Sequence, residues 1–562
     1  MTALLANSRK VQFSGKHKDV VANAHFRLII LLLVFLGAFT VIAGRLASFA
    51  ILEDAQPSRT TSAVLVPARG DIVDRNGVAL ARTIRGYAIR VIPARLLGDK
   101  ATLSRQLAAI FPDTSEADFL ATLTSERPTY LRRRAMPDEV KQVHALGEIG
   151  IEFPREDERL YPQRDLAAHI LGFVNADGEG VMGMERALNE SLTQKSLRAT
   201  PATLSIDSRV QAALESELNS AMISTEARGA AGIILDVKTG EVMALASLPV
   251  FDPNKLRKDT IRFQTNEVTQ SVFELGSTFK PFTIAAALDA GTVTDLAVRY
   301  NAMEPIKVAG FTIKDDHSQG RYLNVPETLV HSSNIVTARI ADNLGKERME
   351  DMIRRLGFDE RPHIELAERG HPIWPKRWGR VTNMTIAYGH GIAVTPLHLA
   401  SAYAALVNGG IWRPATLLKV APGEEAQGRR VFKAATSARM RQLLRMIVSS
   451  GTGRKADAPG FRIGGKTGSA EKPSNGGYNK TSLVSTFAAA FPMDNPHYVI
   501  ITMLDEPQGT AETSFQRTAG WTAAPIVHKV VSRVGPMLGV VPDEHRAVDV
   551  SELTPLLWSP KG

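Results

Sequence analysis

One run of the chain limits everything else it can become. Leu28 to Gly44 is seventeen residues without a charge, bracketed by Arg27 and Arg45, and a stretch that long and that apolar is suited to a bilayer. It lies at the short end for a membrane span, and Arg45 would lengthen it by reaching back to the interface. Before it stand Arg9, Lys10, Lys16, Lys18 and Arg27 against a single acid, Asp19. The positive-inside rule therefore places residues 1–27 in the cytoplasm and everything after residue 45 outside. A cleaved signal peptide is the competing reading. The apolar region is long for one, and no Ala-x-Ala site follows closely, so a single-pass anchor is expected.

The chain has 562 residues, too many for one ordinary core, so two or more soluble domains are expected beyond the anchor. An apolar content of 44% and a charged content of 22% fit globular folding. The net charge of +9 invites a nucleic-acid reading, but the basic residues are spread along the chain with no zinc-knuckle, helix-turn-helix or RNA-platform signature. An anionic membrane or wall polymer suits that charge at least as well, and no nucleic-acid partner is expected. Cysteine is absent, which excludes disulfides, thiol catalysis and thiolate-bound metals. The thirteen histidines show no HExxH or paired spacing, so a metal site has little support; no cofactor is expected.

From residue 46 to about 203 short strands alternate with charged, proline-bearing loops. Pro67 to Gly77 reads as strand, turn, strand, with Asn76-Gly77 as the turn. Tyr87 to Ile92 reads as a strand closed by Pro93, and Ala101 to Leu120 as a helix broken at Pro112. The basic run Leu131 to Arg134 is read as a solvated edge. Nothing here pairs a nucleophile with a base, so the region is read as a spacer and docking domain. Near residue 204 the texture changes. Asp207 to Leu218 has helical spacing, and Ala231–Val237 with Glu241–Ala246 forms a buried hairpin. A mostly helical stretch runs to about residue 450. Strands return at Phe461–Ser469, Ser482–Phe491 and Tyr498–Met503, before a helix over Thr522–Val534. The whole is α+β, one antiparallel sheet with helices against it. The expected division is 1–27 tail, 28–45 membrane helix, 46–203 non-catalytic pedestal, 204–545 catalytic domain and 546–562 tail.

Within the last large region, Glu274-Leu275-Gly276-Ser277-Thr278-Phe279-Lys280-Pro281-Phe282 carries chemistry. A helix opening at or just after Gly276 puts Ser277 and Lys280 on one face. A serine hydroxyl needs a base, and a lysine becomes one only when burial or a neighbouring cation lowers its pKa. The apolar flank supplies the burial, and the helix start adds donors that favour developing negative charge. Ser332-Ser333-Asn334 follows 55 residues after Ser277, and Lys466-Thr467-Gly468 comes 134 after that. Decoys exist. Ser469 to Lys472 runs into Pro473, and Lys238-Thr239-Gly240 fills a hairpin turn ahead of the nucleophile. Bland readings stand beside the trio: Lys280 as a surface lysine, Ser332 and Asn334 as a helix cap, His390 as a packing residue, Gly451-Thr452-Gly453 as a structural turn. The ordered trio is nonetheless a known signature of β-lactamases and penicillin-binding proteins.

On these residues the sequence resembles the class B penicillin-binding proteins, membrane-anchored peptidoglycan D,D-transpeptidases, over nearly all of the chain beyond residue 27. The pedestal is similar too, in Arg69-Gly70-Asp71-Ile72-x-Asp74-Arg75-Asn76-Gly77, Arg159-x-Tyr161-Pro162 and Gly180-x-x-Gly183-x-Glu185. Gly276 to Pro281 and Tyr388-Gly389-His390-Gly391-Ile392-x-Val394-Thr395-Pro396 resemble the septal, FtsI-type branch. Leu275 stands where relatives usually carry proline, and Ser469 where threonine is common. The resemblance implies Ser277 as nucleophile, Lys280 as its base, Ser332 as proton relay, and Lys466 keeping Ser332 poised and bringing positive charge toward the substrate's terminal carboxylate. It implies Asn334, Thr467, Gly468 and Ser469 on the substrate and the backbone N–H groups of Ser277 and Ser469 as oxyanion hole. Implied partners are D-Ala-D-Ala stem peptides, a diaminopimelate-type acceptor, β-lactams, a membrane glycan polymerase and other division proteins, at a bacterial inner membrane. An elongation-type transpeptidase, a β-lactam hydrolase and a β-lactam sensor are the alternatives. The Glu-x-x-Leu-Asn pattern of one hydrolase class does not occur after Asn334; Glu185 to Asn189 fits it but lies in the pedestal, ahead of the nucleophile.

Overall fold

Two apolar runs separated by Lys238-Thr239-Gly240 make the hairpin that founds the main sheet, as strands Gly229–Asp236 and Val242–Leu248. Gly240 sits in the turn at φ +80, a left-handed backbone that glycine adopts without steric cost. The sheet has five strands, all antiparallel, in the order Gly464–Ser474, Gly477–Phe491, Tyr498–Asp505, Gly229–Asp236, Val242–Leu248. Successive strand residues face opposite sides, and here both sides are covered. Ile234, Ala244 and Ile500 pack with Val210, Leu214 and Leu218 of helix Ser208–Ser224 and with Val527 and Val531 of helix Ala524–Met537. Ile233, Leu235, Leu245 and Ile501 face the opposite core, with Phe279 and Phe282 and with Leu399, Tyr403 and Leu406 of helix Pro396–Val407. Burial on both faces explains why these strands read as continuous apolar runs rather than alternating ones.

This computed structural model describes residues 26–43, 68–256, 258–474 and 477–558, in two compact units, Met1–Val66 and Pro67–Gly562. In the first, Phe26–Ala43 is a helix of 18 residues with mean hydropathy 2.6, long and apolar enough to cross a membrane. The basic tail before residue 26, Arg45 and the last four residues lie outside the described residues.

In the second unit, residues 68–203 build a separate sheet around the long strand Ala79–Val91. It pairs antiparallel with Ile72–Val73, Thr129–Ala135, Ile151–Glu152 and Arg155–Leu160. Pro93 closes it by opening a 3-10 turn. The interruption at Pro112 separates helices Lys100–Ile110 and Glu116–Leu123. The motif residues of this region meet in one buried knot. Arg69 Nε is 2.6 Å and Arg159 Nε 2.7 Å from the two oxygens of Glu185, whose side chain is 0% exposed. Arg69 also donates to Asn189 and to the carbonyl of Gly178, and Arg159 to the carbonyl of Gly70. Asp74 accepts from the backbone of Asn76 and Val78 and from Ser208, the first residue of helix Ser208–Ser224. Ile72 and Leu80 share a core with Leu204 and Ile206, so the packing runs through residue 204 without a break.

Several elements depart from the sequence reading. Phe461–Ile463 is outside the strand, which starts at Gly464; Arg462 has φ +52 and its guanidinium turns to Asp494, Gly460 and Asp543. The run Leu131–Arg134 lies in strand Thr129–Ala135, which is an edge of its sheet as read but is mostly half-buried, with Arg134 donating to the Arg159 carbonyl and ion-paired to Glu158. The stretch read as mostly helical holds a small sheet, Ile306–Val308 with Phe311–Ile313.

Candidate active site

The serine segment is a 3-10 turn, Gly276–Phe279, running into the α-helix Lys280–Asp289. It is held from below by aromatic packing. Phe282 lies 5.2 Å from Tyr403 and 5.9 Å from Phe279, ring centre to ring centre, and each such buried ring stabilises the fold by about 1.5–3 kcal/mol. The Tyr403 hydroxyl donates to the Thr278 carbonyl at 2.9 Å, and Thr283 ties the helix to the Ala387 carbonyl. The turn therefore rests on rigid neighbours. At its mouth Lys280 Nζ is 2.9 Å from Ser277 Oγ and 2.9 Å from Ser332 Oγ, and donates to the Ser332 carbonyl at 2.5 Å. Lys280 is 0% exposed. Burial brings its amine down from 10.5 to about 7, against the weaker upward pull of Asp315 and Asp316.

Ser332 reaches the amine with both hydroxyl and carbonyl because its φ is +60. A non-glycine residue held there costs about 1–3 kcal/mol, and such strain clusters where geometry serves a site. The cap reading for Ser332 and Asn334 is corrected: Ser333 is the N-cap of helix Asn334–Leu344, accepting from the Val336 N–H and donating to Asp315. Asn334, in the first turn, donates its amide to the Lys314 carbonyl at 3.1 Å.

Strand Gly464–Ser474 is the sheet edge that lies on the serine turn. A Cβ on Gly468 would run into the Leu275 carbonyl and Thr278, and one on Gly276 would sit 2.9 Å from the Ser469 carbonyl, so both contacts require glycine. Leu275, in place of the usual proline, is buried and its carbonyl accepts from Thr278. The Ser469 carbonyl faces Gly276, and on a strand a residue's N–H and C=O point to the same side, so its N–H faces the serine turn as well. Ser277 is second in that turn, where N–H groups lack partners within the helix. The Ser469 hydroxyl accepts from the Ala519 N–H at 3.0 Å.

Lys466 is 0% exposed; burial pushes its amine well below the ordinary range, and the neighbouring Lys280 amine adds to the effect. Its hydrogen bonds run to the carbonyl (3.1 Å) and hydroxyl (3.0 Å) of Thr467, and none among the described residues reaches Ser332. The expected Lys466–Ser332 support is therefore replaced by a chain from Lys466 to Thr467 to Thr452, whose hydroxyl is 3.0 Å from that of Thr467. The Gly451-Thr452-Gly453 turn thus contributes a side chain to the site. The decoys sit as expected: Ser469 to Lys472 is strand, and Glu185 is bound by two arginines.

A third group escaped the sequence reading. Glu274, one turn before Ser277, accepts from the Gly391 N–H at 2.9 Å and from the Tyr478 hydroxyl at 3.0 and 3.2 Å. His390 Nδ1 lies 3.8 Å from the same carboxylate. Asp315 was missed as well. Glu274 is near Ser277 by sequence, but its partners His390, Gly391 and Tyr478 and the approach of Asp315 to Ser333 come from the fold.

A buried amine shared by two hydroxyls beside an open sheet edge defines the serine acyl-enzymes that use lysine as their base. Comparison with known proteins gives the lineage. Residues 230–532 match the penicillin binding protein transpeptidase domain, and residues 64–210 the penicillin-binding protein dimerisation domain. The chain is 40% identical over 483 residues to the probable peptidoglycan D,D-transpeptidase FtsI of Caulobacter vibrioides, covering 84% of this chain and 82% of that one. It is 29% identical to the peptidoglycan D,D-transpeptidase FtsI of Escherichia coli K12, covering 86% of each. Among solved structures it is similar to penicillin-binding protein 3 of Mycobacterium tuberculosis in complex with aztreonam, with a TM-score of 0.66, 27% identity, and coverage of 85% of this chain and 97% of that one. The chain belongs to the class B penicillin-binding proteins, of the FtsI type.

Proposed function

We propose that this chain is a serine-type peptidoglycan D,D-transpeptidase that crosslinks stem peptides at the division septum. The observation that carries the reading is the Lys280 amine, buried and hydrogen-bonded to both Ser277 and Ser332. Ser277 Oγ attacks the carbonyl between the two D-alanines of a donor stem peptide while the neutral Lys280 amine takes its proton. The oxyanion is met by the N–H groups of Ser277 and Ser469. As the peptide C–N bond breaks, the proton passes from Lys280 through the Ser332 hydroxyl to the leaving D-Ala nitrogen. Thr467 and Ser469 hold the substrate's terminal carboxylate, Gly468 leaves room for it, Asn334 bonds a substrate amide, and Lys466 positions the Thr467 hydroxyl. A diaminopimelate-type amine from a neighbouring stem peptide then takes the acyl group. β-Lactams acylate the same serine; the Mycobacterium tuberculosis relative was solved with aztreonam and with ampicillin.

Phe26–Ala43 is the single-pass anchor in the bacterial inner membrane, with the amino terminus cytoplasmic and the catalytic domain periplasmic. The division into tail (1–27), anchor (28–45), pedestal (46–203), transpeptidase domain (204–545) and terminal tail (546–562) is part of this reading. So is docking of anchor and pedestal on a membrane glycan polymerase and other division proteins. A gel with a fluorescent penicillin, together with a crosslinking assay, tests the chemistry: wild type should label and crosslink, and Ser277→Ala should do neither. Crosslinking that survives Ser277→Ala would overturn the reading. Fluorescence of the tagged protein at midcell supports septal duty, whereas signal spread along the side wall tells against it.

A further inference from the structure

The second half of that reaction has its own proton problem. The acceptor is an alkyl amine, which near neutral pH is almost wholly ammonium, since such amines ordinarily titrate at about 10.4. An ammonium has no lone pair with which to attack an ester. The cleft must draw in a cation and free it of a proton, and Lys280, neutral again once D-Ala has left, is needed for the proton that returns to Ser277 Oγ when the ester breaks.

Glu274, His390 and Tyr478 occupy the mouth of the cleft from three separate parts of the chain: the nucleophile segment, the Tyr388-to-Gly391 loop, and the tip of the hairpin that carries Lys466 to Ser469. Glu274 is fixed by the Gly391 N–H and the Tyr478 hydroxyl. Its side chain is 10% exposed and lies 3.8 Å from His390 Nδ1. The imidazole is flanked by Tyr388 and Tyr478, with ring centres at 5.3 and 5.5 Å, and a third of its side chain is open. Burial lowers the His390 pKa; Glu274 pulls it up, Lys280 pushes it down, and Asp316 and Glu471 pull it up more weakly. These are the charged groups that act on the ring most strongly. Asp316 is exposed and makes no ion pair among the described residues. The rim is thus carboxylate-rich, while the amines inside are buried and lowered.

We propose that Glu274 and His390 form the acceptor side of the reaction: they bind the incoming ammonium of the second stem peptide, and His390 takes its proton. This rests on the transpeptidase reading. The proton moves from the ammonium to neutral His390, giving a free amine and an imidazolium held by Glu274, an arrangement in which a carboxylate orients and supports a histidine base. The amine lone pair forms the new C–N bond to the acyl carbon as the bond to Ser277 Oγ breaks. A second amine proton passes through Lys280 to Ser277 Oγ, and the imidazolium returns its proton to water. Asp316 contributes attraction at the rim.

The test uses full-length protein, a synthetic D-Ala-D-Ala donor peptide and a diaminopimelate tripeptide as acceptor. The readout is the partition of the acyl-enzyme between aminolysis and hydrolysis from pH 6 to 9. Labelling by fluorescent penicillin, which needs no acceptor, reports whether the Ser277 half is intact in each variant. For His390→Gln and Glu274→Gln we expect the aminolysis-to-hydrolysis ratio to fall roughly 10- to 100-fold at pH 7, with the deficit shrinking as pH rises and free amine becomes abundant. Asp316→Asn should raise the acceptor concentration needed for half-saturation severalfold without changing the pH profile. An unchanged partition in His390→Gln, or labelling that falls in parallel with aminolysis, would overturn the proposal. Wild-type protein that takes no penicillin label would instead count against the transpeptidase reading and remove the proposal's basis.

Discussion

Two parts of this molecule bury charge-bearing side chains, and they do it in opposite ways. In the pedestal knot, Arg69 and Arg159 are almost fully enclosed, and each guanidinium is matched to an oxygen of Glu185 and to backbone carbonyls. Arginine does not release its proton, so the only stable way to enclose it is to surround it with acceptors. In the catalytic cleft, Lys280 and Lys466 are equally enclosed, but their nearest partners are hydroxyls and carbonyls rather than carboxylates. An amine in that setting is lowered toward neutrality. Enclosure around a shared carboxylate makes a joint; enclosure among neutral acceptors makes a base.

That contrast breaks most sharply at the lysine. Lys280→Ala should slow penicillin acylation by about 10²–10⁴-fold, read as single-turnover labelling of folded protein. Lys280→Arg should not rescue it, because a guanidinium cannot act as the base; rescue would show that positive charge, not a proton acceptor, is what the position supplies. Next comes the knot. Glu185→Ala strands two buried guanidinium groups and should lower stability by about 3–5 kcal/mol, measured by urea unfolding of the full chain. Molecules that remain folded should acylate at the wild-type rate; a specific acylation defect would mean that the knot acts on the cleft. The smallest effect is expected from Thr452→Val, which removes one hydrogen bond to Thr467, worth about 1 kcal/mol. It should slow acylation severalfold, and no effect would mean that Thr467 is held by Lys466 alone.

The same contrast marks what the sequence can reveal. Ser277 and Lys280 were legible because three-residue spacing on a helix start fixes their proximity locally. The antiparallel sheet was legible because its apolar runs are bounded by turn residues such as Lys238-Thr239-Gly240. The pairing of Lys466 with Thr467 rather than Ser332 was not, since it depends on how the edge strand leans on the turn. Nor was the left-handed backbone of Ser332, which nothing in Ser332-Ser333-Asn334 announces. Glu274 stands three residues before Ser277 and Thr452 lies in the Gly451-to-Gly453 turn, but their partners, the Tyr478 hydroxyl and the Thr467 hydroxyl, meet them only when separate segments pack together. The strand at Thr129–Ala135 was hidden because its three arginines suggested solvent, whereas its partners Glu158 and Asp113 provide the compensation.

The central claim is that burial makes the Lys280 amine a base near neutral pH, and the rate of acylation by a fluorescent penicillin as a function of pH tests it directly. Lowered from 10.5 to about 7, the amine is protonated and inactive below that point and free above it. The rate should therefore climb about tenfold per pH unit below roughly pH 7 and level off above it. A rate that keeps climbing to pH 10 would mean that Lys280 titrates like an ordinary lysine and would contradict the account.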